Sequence, residues 1–170
     1  MSQLPPPVLL CRETGLRAVA PGLLVGPHNA WRLAGQRSPW CILYVGTVEA
    51  DAPPGYGPEV VRIHAPFSDC TSAPPAFLPL ALGLYRQTGA TRPLWICCDA
   101  GISRSAALAY GCVRYAFGLS HEVALRQVAL GSHFDADPVV HTTHVVNPRT
   151  QPLLGIREQL AYMRGQVLRS

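Results

Sequence analysis

The chain contains no lysine: all 14 of its basic residues are arginine. They are spread along the 170 residues rather than gathered in blocks. The net charge of +4 therefore indicates no nucleic-acid or membrane-binding patch, and at most suits small anionic substrates such as phosphates. Charged residues are scarce, at 14% against 48% hydrophobic, and that balance excludes a disordered chain. Nothing approaches the roughly 18 apolar residues of a membrane span; "AFLPLALGLY" is short and carries Pro79. The N-terminal "MSQLPPPVLLCRETG" lacks the basic start and apolar length of a signal peptide, so a cytoplasmic protein is expected. Cys11, Cys41, Cys70, Cys97, Cys98 and Cys112 form no C-x-x-C pair, and in a reducing compartment they are expected to be mostly free thiols.

What is present is enough for one core. "LRAVAPGLLVGP" holds two β-type runs around a Pro-Gly turn, and "WCILYVGTVE", "EVVRIHAPF" and "RPLWICC" give three further strands. "AFLPLALGLYRQTG" has helical spacing, with Pro79 tolerable near the first turn. "RSAALAYGCVRYAFG" and "SHEVALRQVALG" are helices, the second with Ser120 as N-cap. "LLGIREQLAYMRGQVLR" closes the chain as an amphipathic helix. Long apolar strands with little alternation are buried on both faces. The expected fold is a single α/β domain, a central mostly parallel sheet flanked by helices. Residues 1–15 are expected as an N-terminal arm and 16–168 as the domain.

Strand "LWIC", loop "CDAGISR" and the helix that follows make an anion site, because loop amides and the first helical N–H groups converge there. Gly101 allows a backbone angle other residues resist, and Ala100 keeps the loop thin. The loop begins with Cys98 and ends with Arg104, five residues between them. A thiol ringed by amides beside a guanidinium favours the thiolate. The same amides, from Asp99, Ala100, Gly101, Ile102, Ser103 and Arg104, with a bidentate Arg104, would bind the oxygens of a phosphate ester and set phosphorus over the sulfur. Spacing separates the two thiols: Cys98 has five residues before Arg104, Cys97 has six.

"CDAGISRSA" resembles the signature of cysteine-dependent protein phosphatases in its dual-specificity form, H-C-x-x-G-x-S-R-S. "VAPGLLVGPHNA" is similar to that family's first strand and turn, and "VVRIHAPFSD" to the strand and loop that deliver its general acid. The resemblance covers residues from about 16 to 165 and is most specific in the signature. It implies a phosphomonoester hydrolase acting on phosphotyrosine, and on phosphoserine or phosphothreonine, through a cysteinyl-phosphate on Cys98, with Arg104 holding the equatorial oxygens. It further implies Asp69 as the general acid and Ser105 as the hydroxyl that stabilises the departing thiolate. The plainer alternatives are a turn-forming Asp69 and a helix-capping Ser105. Asp51 precedes a strand and lies too far off, and the side chain of Asp99 is expected to point away from the phosphate.

Cys97 stands where the family usually has histidine, which implies a less readily ionised Cys98 than in a histidine-bearing relative. Cys97 is expected as a plain buried strand residue; a redox partnership of Cys97 or Cys70 with Cys98 is the alternative. His133, Asp135, Asp137, His141 and His144 could hold a metal, but their spacing matches no familiar ligand set, so neither metal nor cofactor is expected. The rival functional class is a catalytically silent phosphoresidue-binding module, whose kind typically lacks the cysteine, the arginine or the acid. Few basic residues near the loop weigh against phosphoinositides. The expected partner is a phosphorylated protein, with no nucleic acid and no membrane, bound by a monomer.

Overall fold

Each run expected above as a strand contains one. The computed structural model describes residues 4–49, 53–54, 57–68, 73–89 and 91–129. Its strands are β1 (Val8–Cys11), β2 (Leu16–Ala20), β3 (Leu23–Pro27), β4 (Cys41–Tyr44), β5 (Val61–His64) and β6 (Leu94–Cys98). Its helices are α1 (Trp31–Gly35), α2 (Phe77–Arg86), α3 (Arg104–Phe117) and α4 (His121–Ala129). The six strands make one sheet in the order β1-β2-β3-β6-β4-β5. The β3–β6, β6–β4 and β4–β5 pairings are parallel, and β1–β2 and β2–β3 are antiparallel. This is the α/β architecture with a mostly parallel sheet that the patterning implies.

β3, β4 and β6 are buried at every position, as unalternating apolar strands must be when helices cover both faces. β6 divides its side chains between two cores. Leu94, Ile96 and Cys98 join Val19, Val25, Leu43 and the buried faces of α2, α3 and α4. Trp95 and Cys97 face the other way, with Leu16, Leu24, Ile42, Tyr44 and α1's Ala34. Each fully buried leucine or isoleucine here contributes about 1.5–3 kcal/mol.

The register puts Pro27 beside Cys98, and Tyr44 beside both Cys97 and His64. The carboxyl ends of four parallel strands therefore share one edge, where ligands of open α/β sheets bind. Helix starts follow local chemistry: Val123 N–H donates to Ser120 Oγ at 3.3 Å, and Pro79 is the third residue of α2.

Two elements depart from expectation. Within the segment expected as an arm, β1 pairs antiparallel with β2 as an edge strand, Val8 opposite Ala18. α1, preceded by a 3-10 turn at His28–Ala30, spans five residues, too few to display a helical period. Asp51, Asp69, Cys70, the five residues weighed as metal ligands, and the helix expected over 153–169 lie outside the described residues.

Candidate active site

Cys98 ends β6 and is 2% exposed, and Arg104 opens α3. The loop between them turns on Gly101, whose φ of +70° lies in the left-handed region. A Cβ there would meet Pro27 N at 2.3 Å and Gly26 C at 2.4 Å, so close seating on the end of β3 also demands glycine. The turn brings Gly101 N–H to 3.3 Å from Cys98 Sγ, donating to the sulfur. Ser105 Oγ lies 3.2 Å from the same sulfur, and Ser105 is fully buried. Ser105 therefore contacts the thiol, and α3 begins with no side-chain cap bond at Ser103.

Thr47, Ser68, Asp99, Ala100, Ile102, Ser103 and Arg104 line a cleft of about 460 Å³ with Cys98. Ser103 Oγ is buried there and, among the described residues, makes no hydrogen bond, which leaves it available to an oxyanion. Arg104 is 5% exposed, and its Nη1 donates to the Phe67 carbonyl at 3.1 Å. Ser68, the residue just before Asp69 in the chain, thus reaches the cleft.

The side chain of Asp99 corrects the sequence expectation. It does not turn aside: Arg104 Nη2 donates to Oδ2 in an ion pair, and Tyr44 Oη donates to Oδ1 at 2.9 Å. Opposite charge and a strand-end hydroxyl hold it. Burial pushes the Asp99 carboxyl up, but the hydrogen bonds from Arg104 and Tyr44, the Arg104 charge and His28 together lower it below the usual carboxylate value. Gly46 leaves room for this contact, since a Cβ would stand 2.2 Å from Tyr44 Oη and 2.3 Å from Asp99 Oδ1.

Cys97 is fully buried, and burial pushes its thiol well above the ordinary value, so it is neutral. It packs with Trp95 and Tyr44 on the sheet face opposite Cys98. Among the described residues no three His, Cys, Asp or Glu side chains gather as a metal site.

No family model matches the chain, and no curated protein matches it. Solved structures do. Human DUSP28 matches at 20% identity and a TM-score of 0.64, covering 100% of both chains. PTPMT1 matches at 15% identity and 0.68, over 91% of this chain and 99% of that one. The chain has the dual-specificity phosphatase fold. A human tyrosine phosphatase-like serine/threonine/tyrosine-interacting protein shares it, at 16% identity and 0.67, over 87% of this chain and 97% of that one.

In this dual-specificity phosphatase fold, Thr47 and Ser68 line the cleft, and Tyr44, Gly46 and Phe67 adjoin its Asp99 and Arg104, without having been picked out in the sequence. Arg17 supports the loop from behind, its Nη1 donating to the Gly101 carbonyl at 3.2 Å. Only Arg17 had a visible signal, a charge inside the otherwise apolar strand "LRAVA". No helix among the described residues is long and apolar enough to cross a membrane.

Proposed function

We propose that the chain is a cysteine-dependent protein phosphatase, hydrolysing phosphotyrosine, and phosphoserine or phosphothreonine, through a cysteinyl-phosphate intermediate. The observation that carries this reading is the sulfur of Cys98, held by Gly101 N–H and Ser105 Oγ in one cleft with Arg104. The thiolate attacks phosphorus, and the S–P bond forms as the ester P–O bond breaks. Asp69 gives its proton to the leaving oxygen, then takes one from water as water displaces the sulfur and releases inorganic phosphate. Loop amides, Ser103 Oγ and Arg104 stabilise the equatorial oxygens, and Ser105 the departing thiolate. The Asp99 carboxylate at the cleft disfavours substrates with a second phosphate nearby, which supports a protein over a phosphoinositide.

Hydrolysis of a chromogenic aryl phosphate between pH 5 and 7 tests the reading. Cys98→Ser should abolish turnover. Asp69→Asn should cut kcat about 10²–10⁴-fold for alkyl esters and less for aryl esters, whose leaving groups need less protonation. The silent binding module is the second reading, favoured by the Asp99 carboxylate already on Arg104 and by the neighbour described as phosphatase-like and interacting. No wild-type turnover, with retained binding of a phosphotyrosine peptide, would establish that module instead.

A further inference from the structure

β2 carries one charged residue in its interior. Arg17 is 2% exposed and lies on the same side of the strand as Val19, towards α3 and α4. Its Nη1 donates to the carbonyls of Gly101 at 3.2 Å and Gly15 at 3.0 Å, and its Nε to Val128 O at 2.8 Å. Among the described residues all its hydrogen-bond partners are carbonyls, and no carboxylate neutralises it. A buried cation held this way is costly, so a purely packing role would be better filled by an apolar side chain. Burial pulls its pKa down to about 10, with Cys98 acting in the opposite direction, and it stays cationic at neutral pH.

We propose that Arg17 is a positioning residue of the phosphate loop: it fixes the Gly101 carbonyl outward and aims the Ile102 N–H at bound phosphate. This rests on the phosphatase reading. A trans peptide is planar, with its C=O and N–H pointing in opposite directions. A donor that anchors the Gly101 oxygen therefore dictates where the Ile102 N–H points. The preceding peptide is anchored too, by Gly101 N–H on the sulfur. Both peptides flanking the left-handed residue are thus fixed, as converging amides require.

The Val128 carbonyl belongs to α4. Arg17 joins that helix to the loop. Among the described residues, the other charged or titratable groups around Cys98 are Arg104 and Asp99 on the loop side, with His28 acting electrostatically on Asp99, and the neutral Cys97 on the far face of β6. Arg17 places a cation on the helix-covered side of the loop.

The test is alkylation of Cys98 by iodoacetamide across pH, followed by mass spectrometry of its peptide, together with protection by inorganic phosphate. Arg17→Met should need at least about tenfold more phosphate than wild type for half-protection of Cys98. Arg17→Lys keeps the charge and loses the planar fork. It should follow the wild-type alkylation profile yet need at least about fivefold more phosphate for half-protection. Wild-type protection in both variants, with only a lower melting temperature, would overturn the proposal. If Arg17→Met does not fold, Arg17→Lys decides alone: unchanged phosphate protection would overturn the aiming of Ile102. Failure of wild-type protein to hydrolyse aryl phosphate would sink the phosphatase reading, while the alkylation and protection results still decide the role of Arg17.

Discussion

Asp99 shows how much one side chain can alter a site whose loop is otherwise regular. Its carboxylate takes one edge of Arg104 and the hydroxyl of Tyr44. Its pKa is depressed in the folded chain, so the stability it contributes is present above the unfolded value and lost as pH falls through the folded one. Asp99→Asn should therefore unfold more easily than wild type near pH 6, and the gap should begin to narrow as pH falls below about 4. The Asp99 side chain is 38% exposed, which limits the gap to about 0.5 kcal/mol. Chemical denaturation at a series of pH values measures it, and a gap that does not narrow at all as the solution is acidified would contradict the assignment. At this scale the sequence was partly legible. The spacing of Cys98, Gly101, Ser105 and Arg104 is a local pattern, whereas Arg17 and Tyr44 reach the loop across 84 and 55 residues and leave no local trace.

Among the elements, α2 and α3 pack through a glycine. A Cβ at Gly111 would stand 2.3 Å from Cδ1 of Leu78, which is fully buried. Helix propensity alone would favour alanine by about 1 kcal/mol. Overpacking typically costs about 1–3 kcal/mol, so Gly111→Ala should destabilise the protein on balance. Leu78→Ala should cost about 2–5 kcal/mol by itself. The double variant should lose less than the two single losses together, because each change accommodates the other; urea denaturation of all four proteins gives the cycle. Additive losses would show that the helices do not meet there. Strands and long helices were legible as elements because apolar runs and helical spacing are local. β1 and α1 were not: one is defined by its pairing with β2, the other is shorter than a readable period.

For the whole molecule, α4 fastens the start of the chain to the sheet. The β2–β3 ladder shifts register between Ala18 and Ala20, and Gln127 Nε2 donates to the Val19 carbonyl there at 2.7 Å. The same amide donates to Pro5 O at 2.8 Å, which spends both of its hydrogens. Gln127→Ala should cost about 1–3 kcal/mol by stranding these carbonyls. Cys98 should keep the wild-type pH dependence of alkylation in that variant, since Gln127 neither touches the loop nor carries charge. A changed profile would mean that α4 governs the loop as a body and not through Arg17.

The alternation of β6 has a consequence for oxidative damage. Adjacent sulfurs at Cys97 and Cys98 belong to opposite faces of the sheet, the first sealed in a core and the second opening on the cleft. A sulfenic acid formed on Cys98 by peroxide would not be resolved by its neighbour in sequence, whose thiol is both turned away and kept protonated. Repair by Cys97 is closed, and any small reducing thiol that reaches Cys98 enters by the cleft that admits phosphate.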